Sequence, residues 1–287
     1  MSIKIVSDSS SNVFALEGVD YVTVPMKVIA GDKEFVDTPE LDLQEMVSYM
    51  KSYKGKSGSS CPNVQEWLDA FGDEGDILGI TISRNLSGSY NSAQQAAQQL
   101  REANPARKVF IFDSLTAGPQ QIMAVEKMKA LILEGADFDT IVEKTQEYLD
   151  HTHILFCLES MNNLARNGRV NPAVAKIAGM LGIRVCGDAK GGFITPVHKP
   201  RGEKKAMQTL LEMMLEKGLY DGALVRIAHC LGESQACALK EVVLAHYPNC
   251  RFILEPTGAL CSFYAEAGGL MIGMEGGFNV ENKKAQQ

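Results

Sequence analysis

The sequence contains no GxGxxG, no Walker-type phosphate loop, no HExxH and no GxSxG. Those absences remove the common fingerprints of dinucleotide enzymes, P-loop NTPases, zinc proteases and α/β-hydrolases. The seven cysteines, Cys61, Cys157, Cys186, Cys230, Cys237, Cys250 and Cys261, are odd in number and none forms a CxxC. Most stand among apolar neighbours, as buried reduced thiols of a reducing compartment do. No apolar run approaches the roughly 20 residues of a membrane span. The opening MSIKIVSDSSS runs straight into a strand without the apolar centre of a signal peptide. A cytoplasmic location without stable membrane insertion is therefore expected. Lys and Arg total 28 against 35 Asp and Glu, a net charge of −7, which argues against a dedicated nucleic-acid binder. Of the five histidines, only His151 and His153 are close in sequence, with no third ligand nearby, so no metal is expected. No serine has a recognisable base and orienting acid, so no catalytic residue is assigned.

Hydroxyl-rich loops at strand ends are present instead. Leu78, Ile80 and Ile82 alternate with Gly79 and Thr81 and read as a buried strand. The polar loop Ser83–Ser89 follows, and then Tyr90, Ala93, Ala97 and Leu100 recur at helical spacing until Asn104-Pro105. Unpaired N–H groups and the helix dipole at such a junction favour an anion. Ser87 and Ser89 either donate to that anion or cap the helix. A second cluster, Lys54–Pro62, precedes the helix Val64–Phe71 with the single Trp67; it reads as a surface loop or as another hydroxyl-bearing loop. Asp8-Ser9-Ser10-Ser11 ends the first strand, and Asp8 or a serine is expected to cap the next short helix. The basic cluster His198-Lys199-Pro200-Arg201-Gly202-Glu203-Lys204-Lys205 opens a further helix. Such a charge run usually reads as a solvated face, but cations are unfavourable at a helix N-terminus, which points to an anion or an acidic partner.

Strands alternating with helices predict an α/β fold. Four strands ending in polar loops before residue 160 define an N-terminal domain, 1–158, a parallel sheet with helices on both faces. Strands at Ile183–Gly187, Gly191–Val197, Leu224–His229, Arg251–Leu254 and Gly269–Met274, with a hairpin at Gly191-Gly192, define a mixed-sheet α/β domain, 159–287. Between Glu159 and that sheet, Val174, Ile177, Ala178 and Leu181 mark a helix that starts at Asn171-Pro172 and ends at Gly182. The tail after Gly277 is polar.

Several of these segments together resemble the DegV family of fatty-acid-binding proteins. They are Val6-Ser7-Asp8-Ser9; Ser59-Ser60-Cys61-Pro62-Asn63, where the family has Thr-Ser-Gln-Pro-Ser; Leu86-Ser87-Gly88-Ser89-Tyr90-Asn91-Ser92-Ala93; Asn163-Leu164 with Asn167-Gly168-Arg169-Val170; Ile183-Arg184-Val185; and Pro200-Arg201-Gly202-Glu203-Lys204-Lys205-Ala206. They follow in order over nearly the whole chain. The resemblance implies a two-domain DegV-like fold that encloses one long-chain fatty acid in an apolar tunnel and uses no cofactor. It implies a non-enzymatic carrier, which in some members presents the acyl carboxylate to an ATP-dependent fatty acid kinase that feeds phospholipid synthesis. By position, the carboxylate falls to Ser59 or its neighbour Ser60 and to Ser87, with Gly88 beside them. Arg169 lies near the carboxylate, and Arg201, with Lys204 and Lys205, lies on the partner-facing surface.

This chain departs from the family pattern near its C-terminus. Where the family usually has His-x-Gly-Pro-Gly, Tyr264-Ala265-Glu266-Ala267-Gly268 stands here, and Cys61 replaces a Gln. Tyr264 donates a hydrogen bond but carries no charge. Two rival functions keep the same loops: a phosphotransfer-related enzyme subunit acting on a small anion, and a regulatory module whose basic cluster contacts an acidic protein.

Overall fold

The computed structural model describes residues 2–178 and 180–279. The chain runs β1 (Ile3–Asp8), a short 3-10 turn (Ser9–Ser11), β2 (Asp20–Val24), β3 (Lys27–Ala30), β4 (Lys33–Val36), α1 (Leu43–Ser52), β5 (Ser57–Ser60), α2 (Val64–Phe71), β6 (Asp76–Thr81), α3 (Ser89–Ala103), β7 (Val109–Asp113), α4 (Pro119–Leu133) and α5 (Phe138–Asp150). It continues with β8 (Thr152–Leu158), α6 (Asn162–Arg166), α7 (Pro172–Ala178), β9 (Val185–Lys190), β10 (Phe193–His198), α8 (Glu203–Glu216), β11 (Leu224–His229), α9 (Glu233–His246), β12 (Arg251–Pro256), α10 (Ala259–Ala265) and β13 (Leu270–Glu275).

Three sheets result, ordered β2-β1-β6-β7, β10-β9-β8-β13-β11-β12 and β4-β3-β5. The first is wholly parallel, and its strands are continuous apolar runs because both faces are covered. Successive residues point to opposite faces. Val6 and Ile77 pack with Trp67, Phe71, Ala93 and Ala97 of α2 and α3. Ile5 and Leu78 pack with Val125, Met128 and Ile141 of α4 and α5. The six-stranded sheet is mixed: β11 and β12 are parallel, and the other pairs are antiparallel. Helices α8 and α9 cover one of its faces with Met207, Leu210, Met214, Leu239 and Val243. Helix α4 is buried between the two large sheets, with Ile122, Met123, Ala124, Val125 and Met128 all at most 2% exposed. Its first turn lies so close to β13 that a Cβ on Gly273 would come within 2.8 Å of the Gln120 and Pro119 backbone.

The structure corrects several expectations. The Lys54–Pro62 segment is no loop throughout: Ser57–Ser60 form β5, an edge strand of the small sheet paired with β3. A run of small polar residues hides strand character that only its neighbour reveals. The division after residue 158 comes one strand too late, because β8 pairs with β13 and β9 in the second sheet. The fourth strand of the parallel sheet is β2, beside β1. Helix α7 stops at Ala178 rather than Gly182. Leu181 is 90% exposed, and Met180–Ile183 is a turn closed by the Ile183 amide on the Met180 carbonyl. Helix α10 was not anticipated, since its Gly- and Ala-rich surroundings carry no clear period. The Gly191-Gly192 hairpin is as expected, with Lys190 opposite Phe193. From residue 280 onward, the polar tail lies outside the described residues.

Candidate functional site

Strand ends and helices from along the chain meet at a cavity whose free space, mouth included, is about 830 Å³. Its walls come from both halves of the chain. Met26 and Ile82 face it from the first half, Phe156, Leu158, Ile194 and Met271 from the second, and Leu260 and Cys261 from α10. These walls are overwhelmingly apolar. The side-chain hydroxyls on the lining belong to Ser59, Ser87, Thr116 and Tyr264, the guanidinium is that of Arg169, and the one carboxylate is Asp188, which pairs with Lys217 at 2.7 Å.

Ser59 stands on β5 opposite Val28 of β3. Its hydroxyl lies 2.8 Å from the Tyr264 hydroxyl on α10. Ser60, one residue on, points the other way along the pleat; it is 3.4 Å from the Cys61 carbonyl and does not line the cavity. Ser87 ends the loop after β6. It is not the N-cap residue of α3, which is Gly88 and does not line the cavity, but its hydroxyl accepts from the first amide of the helix, that of Ser89, at 3.3 Å. Ser89 turns inward instead and donates to Asp8 at 2.6 Å. Arg169, on the turn after α6, donates from Nε to the Leu86 carbonyl at 3.1 Å and from Nη1 to the Asn167 carbonyl. Among the described residues no carboxylate lies within ion-pair distance of it. Those two carbonyls hold the guanidinium beside the Ser87 loop while leaving its charge uncompensated by the protein.

The substitutions near the C-terminus are accommodated. Tyr264 occupies the wall where the family pattern places a histidine, and meets Ser59 directly. Glu266 faces away from that point; it accepts from the Ser160 hydroxyl at 2.8 Å and from the Asn163 amide at 3.0 Å. Its charge therefore supports the start of α6, where an acid is favourable. Cys61 packs against Gly88, where an added Cβ would lie 3.3 Å from its sulfur. All seven cysteines are unpaired thiols, five of them buried.

Behind the serine loops lies a buried polar network that sequence reasoning did not assign. Asp8, fully buried, accepts from Ser10, Ser89, Gln121 and the Ile82 amide. It makes no cap bond to the adjacent 3-10 turn. Burial pushes its carboxyl up, against the pull of those hydrogen bonds. It ties β1, β6 and the α3 N-terminus into one frame. Asp37, after β4, is 2% exposed and accepts from the Ala259 and Leu260 amides and from Ser9. Its sequence signal was slight: one acid directly after the hairpin strand Lys33–Val36. His151 and His153 each bond a backbone carbonyl, of Glu147 and Gly277 respectively. Arg201, Lys204 and Lys205 are exposed, at and just before the start of α8 and away from the cavity lining.

A family model described as "Uncharacterised protein, DegV family" matches residues 2–275. This chain belongs to the DegV family. A DegV domain-containing protein of Streptococcus gordonii is 35% identical over 280 residues, which is 96% of this chain and 99% of that protein. Among solved structures, the Streptococcus pneumoniae Fatty Acid Kinase (Fak) B3 protein loaded with linoleic acid is 35% identical. It superimposes with a TM-score of 0.93 over 96% of this chain and 100% of its own. A DegV family protein from Eubacterium eligens loaded with heptadecanoic acid gives 34% identity and a TM-score of 0.92 over the same shares. The mixed α/β architecture, a parallel sheet beside a mixed one, is thus that of DegV fatty-acid-binding structures. No helix among the described residues is long and apolar enough to cross a membrane.

Proposed function

We propose that this DegV protein binds one long-chain fatty acid, with its acyl chain in a tunnel between the two halves of the chain. Its carboxylate lies at the Ser59, Ser87, Tyr264 and Arg169 wall. The observation that carries this reading is the contrast within a single cavity: mostly apolar walls, with the Ser59, Ser87 and Tyr264 hydroxyls and the Arg169 guanidinium among them, while the one lining carboxylate, Asp188, is paired with Lys217. A carboxylate withdrawn from water requires hydrogen bonds, and these groups supply them. An acyl chain of about fifteen methylenes, at roughly 0.8 kcal/mol each, gives a gross driving force on the order of 12 kcal/mol.

The protein acts as a carrier rather than an enzyme, in a cytoplasmic setting that suits its free thiols. It presents the acyl carboxylate to an ATP-dependent fatty acid kinase through a surface that includes Arg201, Lys204 and Lys205, and it needs no cofactor. The likeness to a fatty acid kinase B3 protein supports this role. A subunit acting on a small anion would need a polar pocket, which the apolar walls do not offer.

Native against denaturing mass spectrometry of the purified protein is the test. A mass excess of one fatty acid under native conditions, lost on denaturation, supports the carrier. A clean apo mass that persists after incubation with oleic acid refutes it.

A further inference from the structure

The small sheet holds α10 at two points. Phe35 of β4 and Ser59 of β5 oppose the same residue, Val28 of β3, from its two sides. These three therefore form one row across one face, and Asp37, two residues beyond Phe35, shares that face. Helix α10 lies over it, with Ala259 and Phe263 packed on Val28 and Phe35. Asp37 grips the first turn, accepting from the Ala259 amide at 2.7 Å and the Leu260 amide at 3.2 Å. Ser59 meets Tyr264 at the other end, at 2.8 Å.

We propose that Asp37 is a positioning residue for acyl binding: it fixes the axial position and rotation of α10 and so holds the Tyr264 hydroxyl on Ser59 at the carboxylate wall. The inference rests on the fatty-acid reading above. Asp37 does not line the cavity, so it reaches the ligand only through α10, which supplies Leu260, Cys261 and Tyr264. A carboxylate is the side chain that suits this task. Its two oxygens accept from two consecutive amides and from Ser9 at 2.9 Å, whereas an amide side chain has one acceptor oxygen. Ser9 in turn accepts from the Met26 amide, and Met26 lines the cavity. An uncharged cap would cost less to bury, yet the chain places an acid here, beside the equally buried Asp8.

The test uses the whole protein, oleic acid as probe, and the variants D37A, D37N, Y264F and the doubles D37A/Y264F and D37N/Y264F. Y264F and D37A should each weaken oleic acid binding roughly fivefold, the scale of one lost hydrogen bond. The double D37A/Y264F should be little weaker than Y264F, because both changes disable one element. If D37A weakens binding by the same factor with and without Tyr264, Asp37 acts on the fold generally and the inference fails. The ligand-free protein gives an independent arm. The ¹³Cζ resonance of Tyr264, assigned by its loss in Y264F, should move in D37A and in the isosteric D37N. An unmoved resonance overturns the inference whatever the ligand. Failure of the wild type to take up oleic acid instead refutes the fatty-acid reading, while the resonance still decides the role of Asp37.

Discussion

The Tyr264 hydroxyl lies 2.8 Å from Ser59 Oγ, joining residues 205 positions apart in the sequence. One belongs to an edge strand of the small sheet and the other to a short helix before the last strand. Both line the cavity, as do Ser87 and Arg169. The family pattern has a charged or chargeable histidine at this point; here the contact is neutral, and positive charge is left to Arg169.

Removing one hydroxyl should therefore weaken ligand binding without emptying the site. Ser59→Ala, Ser87→Ala and Tyr264→Phe each delete one donor, worth about 1 kcal/mol or roughly fivefold in affinity. Ser59→Ala and Tyr264→Phe remove the two halves of one contact, so their combination should lose less than the sum. Titration of delipidated protein with oleic acid measures all three. Full additivity of the two would show that the Ser59–Tyr264 contact does not operate in the complex.

Arg169 should carry the ionic part of the affinity. Its guanidinium is held by the Leu86 and Asn167 carbonyls, and no carboxylate among the described residues neutralises it. Arg169→Gln should weaken oleic acid binding by several-fold up to about a hundredfold, as loss of a charge-assisted hydrogen bond does. A neutral probe, the methyl ester of oleic acid, should be nearly indifferent to the change. Equal losses for acid and ester would place the carboxylate elsewhere.

The pH dependence of stability should carry a mark of Asp37. Burial pushes its carboxyl up to about 6 from the ordinary 3.8, despite the Ala259, Leu260 and Ser9 hydrogen bonds. Its folded pKa is raised, so its contribution to stability is full below the unfolded value and is lost as pH rises through the folded one. The window is about pH 4 to 6, and the loss is on the order of 3 kcal/mol by pH 7. Asp37→Asn removes this titration. The melting temperature of the wild type should fall by several degrees relative to D37N between pH 4 and pH 7. Asp8 and the Cys261 thiol, which also face Asp37, are present in both proteins and largely cancel. A constant difference across that range would contradict the assignment.

How far the sequence disclosed this arrangement depends on how local each signal was. The strands Leu78–Ile82 and Val109–Asp113 announced themselves as apolar runs because both faces of a parallel sheet are covered. Ser59, Ser87 and Arg169 stood out as hydroxyls and a cation in loops, together with a resemblance over most of the chain. Ser57–Ser60 did not read as a strand, because an edge strand of small polar residues has no apolar face to show. Asp37 was invisible as a cap because the amides it accepts from lie 222 and 223 residues away. The apolar walls were equally silent. Met26, Phe156 and Met271 have the composition of a core, and only their placement around an opening sets them apart.

Gly273 supplies a test of how the two large sheets are held together. Helix α4 is shared by both, and its N-terminus rests on β13, where a Cβ at Gly273 would approach the Gln120 amide nitrogen and the Pro119 carbonyl carbon to 2.8 Å. Both are backbone atoms and cannot swing away. Gly273→Ala should cost about 1–3 kcal/mol through overpacking, which a drop in melting temperature would measure. An unchanged melting temperature would mean that α4 shifts freely on the second sheet.

Charge reversal on the α8 side separates carrying from presenting. Arg201, Lys204 and Lys205 lie around the start of α8, where the helix dipole makes cations unfavourable. Lys205 is only 3.9 Å from Glu212, an exposed pair worth little. Neither stability nor the cavity requires these charges. The triple variant Arg201→Glu, Lys204→Glu, Lys205→Glu should thus fold, melt near the wild type and bind oleic acid equally well. With a fatty acid kinase and ATP, acyl phosphate formation on the bound ligand should fall by tenfold or more. If turnover survives the reversal, the partner approaches from another face. If oleic acid binding falls instead, these residues belong to the ligand site despite standing outside the cavity lining.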